Sequence, residues 1–151
     1  ALRRGVTLKL AMGKAEEGVK LAESVVELFR SGAVAAAEEG DDSVAASTRR
    51  LQGEARALES VAEAREMAKK PKDALKAARE SRELFRLAGD IRGAARVCSV
   101  AARYCDESGD DRGAIKAFLD QRDIFKAAGW RDEEAQALLL AADRLARTGS
   151  A

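Results

Sequence analysis

The stretch that decides the fold is PKDALKAARESRELFRLAGDIRGAARVCSVAARYCDESGD, residues 71–110, because the next 40 residues repeat its pattern. Residues 111–150 read DRGAIKAFLDQRDIFKAAGWRDEEAQALLLAADRLARTGS and align with it without a gap. Eleven of the 40 aligned positions are identical, including Phe85/Phe125. Self-similarity at a fixed period predicts a stack of repeated supersecondary units, in which each unit contacts only its neighbours.

Each repeated unit is predicted to be a pair of helices, over about 72–88 and 91–108 in the first copy. Apolar residues recur there every three or four positions, which is the spacing of an amphipathic helix. A Gly-Asp pair follows each segment, at 89–90 and at 109–110. Glycine suits the left-handed residue after a helix, and aspartate suits the cap of the next one. Such short connections make neighbouring helices antiparallel.

The tetrapeptide ELFR at 83–86 occurs a second time at 27–30, which extends the repeat toward the start of the chain. The offset between the two copies is 56 residues, 16 more than the period of 40. We expect the extra residues to lie in one hairpin over 14–69, divided between its two arms, each about two turns longer than usual.

The first arm of this hairpin contains Gly32, where two interpretations stay open. One is a single helix over 14–39. The other is a break at Gly32 followed by a short helix at 33–39, because a glycine costs about 1 kcal/mol in a helix interior. In the first interpretation, seven helices form a single domain over 1–151, at about 2–12, 14–39, 43–69, 72–88, 91–108, 112–128 and 131–148.

Composition excludes several classes of function. The formal net charge is +1, so no global field attracts nucleic acid. No stretch approaches the roughly 18 apolar residues of a membrane helix. Histidine is absent, which removes the commonest general base and zinc ligand. We therefore expect no enzyme activity, no cofactor and no metal, and interpret the GDD runs at 40–42 and 109–111 as helix stops and caps.

The two cysteines, Cys98 and Cys105, are seven residues apart on one predicted helix. Their Cα atoms would lie roughly 10 Å apart, beyond the reach of a disulfide. We expect two buried free thiols and hence a reducing, intracellular location, with the cytoplasm as the expected compartment.

The span CSVAARYCDESGDDRGAIKAFLDQRDIF, residues 98–125, resembles a tetratricopeptide repeat. Ala101 and Ala102 match the small pair of the motif's first helix, and the Gly-Asp turn follows at 109–110. Ala114 and Phe118 match the small and aromatic positions of the second helix. The period of 40 resembles the long-helix variant of the Pins/LGN adaptors. The resemblance implies an all-α, right-handed α-solenoid whose concave wall is lined by the first helix of each repeat.

Carrying the concave positions of the motif onto this sequence predicts a partner-binding groove, charged toward the amino end and apolar toward the carboxyl end. An extended or amphipathic peptide would place apolar residues against the leucines and acidic residues against the arginines. The candidate groove residues are Arg56, Ser60, Glu63, Arg96, Ser99, Val100, Arg103, Gln136, Leu139, Leu140 and Asp143, with Glu59 in the same rows.

The leading hypothesis is a non-enzymatic scaffold that binds a protein or peptide in this groove. A first alternative is a structural assembly subunit, a homo-oligomer held together by the long hairpin or by the leucines of ALLLAA, 137–142. A second alternative is a helical-repeat RNA-binding protein, against which the near-zero net charge and the lack of groove aromatics argue. Arg82 and Arg122 recur at equivalent positions and are expected to pair with carboxylates of adjacent helices.

Overall fold

The computed structural model describes residues 14–32 and 44–149, together with Gly5. This part of the chain is helical and contains no strand. Its six helices are α1 (Ala15–Arg30), α2 (Val44–Met67), α3 (Pro71–Leu87), α4 (Ile91–Glu107), α5 (Asp111–Ala128) and α6 (Arg131–Gly149). The helix predicted over 2–12 and the GDD run at 40–42 lie outside the described residues.

The main packing contacts join consecutive helices, from α1 against α2 through to α5 against α6. Contacts of this kind produce an open stack of helix pairs, because no helix near one end returns to pack on the other. The arrangement is consistent with an α-solenoid. The bounds of α3 to α6 also repeat at the predicted period of 40 residues.

The turns between the helices have the predicted chemistry. Asp90 Oδ1 accepts a hydrogen bond from the Gly93 amide at 2.7 Å, and Asp110 Oδ1 accepts one from the Gly113 amide at 2.9 Å. These bonds satisfy backbone donors that the first helical turn leaves free. Three turns contain a glycine at nearly the same left-handed φ, at Gly89 (71°), Gly109 (72°) and Gly129 (74°).

The continuous helix over 14–39 is not formed. Helix α1 ends at Arg30, and Gly32 has a φ of 75°, in the left-handed region that a helix cannot contain. The alternative, a break at Gly32, is therefore correct, whereas the proposed short helix at 33–39 lies outside the described residues. Among the described helices, the extra length is found in α2, which has 24 residues against 17 in α3.

The core between the helices is built from small side chains. One alanine in each of four consecutive helices has no exposed surface: Ala55, Ala74, Ala94 and Ala114. Phe85 is also fully buried, and a Cβ atom placed on Gly93 would lie 2.6 Å from its ring. The helix axes approach closely enough that α4 needs a glycine where it crosses this phenylalanine.

Ion pairs connect helices that are two apart in the sequence. Each consists of an arginine and a carboxylate, and we call these four pairs the rungs. They are Arg30–Glu80 (α1 to α3, 3.4 Å), Arg96–Glu59 (α4 to α2, 2.8 Å), Arg82–Asp120 (α3 to α5, 2.5 Å) and Arg144–Asp106 (α6 to α4, 2.5 Å). The rungs place α1, α3 and α5 on one face of the stack and α2, α4 and α6 on the other.

Candidate partner-binding groove

A groove of about 460 Å³ lies between α2 and α4, on the face opposite α3. Its floor is apolar and its rim is charged, because small core residues lie beneath two rows of long polar side chains. The residues that line it are Arg56, Glu59, Ser60, Ala62, Glu63, Ala78, Arg96, Val97, Val100, Arg103 and Tyr104. We call this feature the α2–α4 groove.

One rung crosses the middle of the groove. The Arg96 guanidinium donates to both carboxylate oxygens of Glu59, with Nη2–Oε2 at 2.8 Å and Nε–Oε1 at 3.2 Å. This hydrogen bonding raises the pKa of Arg96. The guanidinium also lies 5.6 Å from the centre of the Phe85 ring. Two-point pairing of this kind fixes the guanidinium and makes the centre of the groove electrically neutral.

The two other arginines of the groove have charge to offer. Arg56 is exposed and forms neither a hydrogen bond nor an ion pair with the residues that the structure describes. Arg103 is 59% exposed and approaches Glu107 only to 3.9 Å. Glu63 is exposed between them. The groove therefore presents two available cations and one available carboxylate on either side of a neutral pair.

Tyr104 is a groove residue that the sequence prediction missed. Its side chain is 2% exposed and lies beneath the Arg103 guanidinium, 5.4 Å from the ring centre. Burial raises the pKa of the Tyr104 hydroxyl to about 12, although the nearby Arg103 acts in the opposite direction. The residue follows Val100 by four positions, one helical turn, and that spacing was the available signal.

Six of the predicted groove residues come together in the α2–α4 groove: Arg56, Ser60, Glu63, Arg96, Val100 and Arg103. Ser60 contributes little accessible surface, because it is 8% exposed and its hydroxyl donates to the Arg56 carbonyl of its own helix at 3.3 Å. Val100 is half-buried and forms the apolar part of the wall.

Ser99 lies outside this groove. Its side-chain oxygen accepts a hydrogen bond from Gln121 Nε2 at 2.8 Å, and the same nitrogen donates to the Ala95 carbonyl at 2.9 Å. The serine therefore helps to attach α5 to α4. Gln121 was not singled out from the sequence, because a polar residue in an amphipathic helix is expected to face solvent.

The four predicted residues of α6 also lie away from the α2–α4 groove. Gln136, Leu139, Leu140 and Asp143 are all exposed, with the two leucines at 69% and 47%. Asp143 forms an ion pair with Arg147 on the same helix at 2.9 Å. The structure thus divides the predicted site into a groove and a separate group on α6.

The arginine repeated at 82 and 122 is a packing residue in its first copy. Arg82 pairs with Asp120 of α5, as expected for a partner on an adjacent helix, and also with Glu83 beside it. Arg122 lies 2.6 Å from Asp123 of its own helix, but the geometry leaves its buried Nε without a hydrogen bond among the described residues.

A second groove, of about 360 Å³, lies on the other face between α1 and α3. Its charges are largely satisfied, since Arg30 pairs with Glu54 at 2.8 Å and Arg65 pairs with Glu23 at 2.9 Å. Unsatisfied cations make the α2–α4 groove the better candidate for binding a charged partner.

The thiols are poor nucleophiles in this fold. Cys98 and Cys105 are both free and buried, as predicted. Burial raises the pKa of the Cys98 thiol to about 11, despite the nearby Arg82. The thiolate is therefore scarce at neutral pH, and the groove contains no cysteine that could take part in covalent chemistry.

Two searches of the described residues gave negative results. No three side chains of the metal-binding types gather in one place within residues 14–32 and 44–149. Over the same residues, no helix combines the length and apolar character needed to cross a membrane.

Comparisons with known proteins give a single structural similarity to report. No protein-family model matches the sequence, and no curated protein matches it. Among solved structures, the crystal structure of MamA aligns over 97% of this chain and 97% of its own, with 13% sequence identity and a TM-score of 0.39.

Proposed function

We propose that this protein is a non-enzymatic scaffold that holds a peptide segment of another protein in the α2–α4 groove. The observation that carries the proposal is the combination of an open groove of about 460 Å³ with exposed arginines at Arg56 and Arg103 that have no strong intramolecular partner. Unpaired surface cations on a rigid helical wall are available to a ligand without first breaking an ion pair.

The ligand expected from this geometry is an extended or helical peptide with acidic residues on either side of an apolar one. Its carboxylates would meet Arg56 and Arg103, and its apolar side chain would lie against Val100. Charge-assisted hydrogen bonds to guanidinium groups give orientation as well as affinity. The central Arg96–Glu59 pair would direct the flanking acidic residues to opposite sides of the groove.

The proposal includes a wider architecture of the tetratricopeptide type. In it, one domain over 1–151 forms a right-handed superhelix with the α2–α4 groove on its concave side. The exposed Leu139 and Leu140 of α6 would continue the ligand path toward the carboxyl end. The gapless repeat and the regular succession of helix pairs support this arrangement.

The proposal is tested by selection from a random peptide library displayed on phage, with the immobilised protein as bait. We expect enrichment of peptides that combine Asp or Glu with an aliphatic residue. A selected peptide is then titrated against the protein and against a variant carrying Arg56→Glu and Arg103→Glu. We expect the variant to bind about tenfold or more weakly, because each reversal replaces attraction by repulsion.

The matched control is Arg112→Glu, since Arg112 is an exposed arginine on α5 and does not line the groove. This control should bind the selected peptides with unchanged affinity. Equal affinity for all three proteins, or enrichment of peptides without acidic residues, would show that the α2–α4 groove is not the binding site.

A further inference from the structure

The end of the stack formed by α5 and α6 has the same register as the junction that α5 itself occupies on α3 and α4. Along α4, four residues face α5 and are at most 3% exposed: Ala95, Cys98, Ala102 and Cys105. Two contacts show what covers them. Gln121 donates to the Ala95 carbonyl at 2.9 Å, and a Cβ atom on Gly113 would lie 2.7 Å from Cys105 Sγ.

The equivalent positions on α6, 40 residues later, are also apolar but exposed. They are Ala135, Leu138, Ala142 and Leu145, and the two leucines are 41% and 54% exposed. Their spacing of three and four residues places them in a single stripe along the helix. The stripe lies beside the buried face of α6, which contains Ala137 and Ala141. We call this stripe, together with Arg122 of α5, the end face.

The charge on the end face is incomplete in a defined way. In the preceding junction, Arg82 of α3 reaches Asp120 of α5 at 2.5 Å. Arg122 is the equivalent arginine of α5, and the carboxylate at 2.6 Å belongs to Asp123, the next residue of its own helix. Its Nε is buried without a hydrogen bond among the described residues. A helix docked on the end face as α5 docks on α4 would supply the acceptor.

We propose that the end face binds an amphipathic α-helix of a separate partner protein, with a contact surface of the α5 type. Its required features follow from α5. Small residues are needed in the places of Gly113, Ala114 and Ala117, because leucines in place of cysteines leave less room beneath the helix. A carboxylate is needed in the place of Asp120, to accept from Arg122. Neither requirement involves the α2–α4 groove.

A second copy of this chain does not provide such a helix from its described residues. Helices α3 and α5 are already packed between described neighbours, which leaves α1 as the remaining helix of the same type. The repeat alignment puts Leu21 of α1 in the place of Ala117, and Ser24 in the place of Asp120. The first is too large for a close approach, and the second carries no charge for Arg122.

The probe for this proposal is a fluorescein-labelled synthetic peptide with the sequence DDRGAIKAFLDQRDIFKAAG, residues 110–129. It is titrated with the whole protein while its fluorescence anisotropy is measured. We expect saturable binding with a Kd below about 1 mM, abolished by Leu138→Asp. The Leu87→Asp variant is the matched control, because Leu87 is 64% exposed on α3 and away from the end face; it should bind normally.

A charge exchange identifies the contact. Arg122→Glu should weaken binding about tenfold, and a probe peptide carrying Asp120→Arg should bind the Arg122→Glu protein about as well as the original pair. Replacement of the protein's own α5 by the probe would depend on Arg82 instead, and would be insensitive to Leu138→Asp. The Arg56→Glu and Arg103→Glu variant should bind the probe normally, which separates this surface from the α2–α4 groove.

Three results would overturn the proposal. One is the absence of binding at about 1 mM protein. Another is binding that Leu138→Asp leaves unchanged. The third comes from sedimentation of the protein alone: if it self-associates and Leu138→Asp abolishes the association, the occupant is a second copy rather than a separate helix.

Discussion

Helices α4 and α6 occupy equivalent positions in the repeat, yet they differ in how much of their surface is covered. Helix α4 packs between α3 and α5, and nine of its 17 residues are buried. Helix α6 has a described neighbour on one side, and two of its 19 residues are buried. The stripe of Cys98 and Cys105 on α4 becomes Leu138 and Leu145 on α6. Repetition of sequence therefore specifies the same backbone twice, while the number of packed neighbours decides what each copy contributes to stability.

The largest expected effect comes from the two repeated phenylalanines. Phe85→Ala should lower the free energy of unfolding by about 3–5 kcal/mol, because the ring is fully buried against Gly93. Phe125→Ala should cost about 1–2 kcal/mol, because its ring is half-buried and the residue equivalent to Gly93 is Glu133. Urea unfolding followed by circular dichroism measures both. Equal losses would contradict the difference between α4 and α6.

An intermediate effect is expected at alkaline pH, and it arises from α4 alone. The pKa of Tyr104 is raised to about 12 in the folded protein, from an ordinary value of 10. The fold thus favours the neutral phenol, so this contribution is complete below pH 10 and disappears as the pH rises through 12. A shift of this size corresponds to about 2–3 kcal/mol.

The experiment compares the unfolding free energy of the wild type and of Tyr104→Phe at several pH values between 9 and 12. The wild type should lose more stability across this range than the variant, because phenylalanine does not titrate. Cys98 adds to the same trend in both proteins, since burial raises the pKa of its thiol to about 11. Parallel curves for the two proteins would show that Tyr104 ionises as freely when folded as when unfolded.

The smallest expected effect concerns the repeated arginine. Arg82→Ala should cost about 1 kcal/mol, because it removes a rung to Asp120 of α5. Arg122→Ala should change stability by less than about 0.5 kcal/mol, since its ion pair lies within its own helix. Thermal unfolding of both variants in the same buffer gives the comparison. A larger cost at Arg122 would mean that the end face is already occupied.

The sequence predicted the periodic part of the fold closely. The first helix of the repeated unit was expected over 72–88 and is Pro71–Leu87, because the gapless alignment and the Gly-Asp turns specify both ends. The helix through Gly32 was wrong at the one place where no second copy was available to fix a boundary. Gly32 takes the same left-handed φ as the glycines that end later helices, so the local residue outweighed the helical composition around it.

The candidate groove was predicted in part, for a different physical reason. Repeat positions determine which side chains share a face, and so Arg56, Arg96 and Arg103 were placed correctly on one wall. They do not determine which polar atoms find partners across the stack. Ser99 is bound by Gln121 of α5, and this bond depends on a side chain that belongs to no repeated position. Tyr104 was missed because its exposed neighbour Arg103 occupies the motif position.

The rungs also bear on the elasticity of the molecule. Two of them cross each face, so bending the stack toward one face stretches the ion pairs of the opposite face and leaves the others short. Exposed ion pairs weaken as salt rises, since the screening length falls to about 10 Å at 0.1 M. The apolar contacts between consecutive helices do not share this sensitivity. Ionic strength thus tunes how readily the spring flexes, without melting its coils.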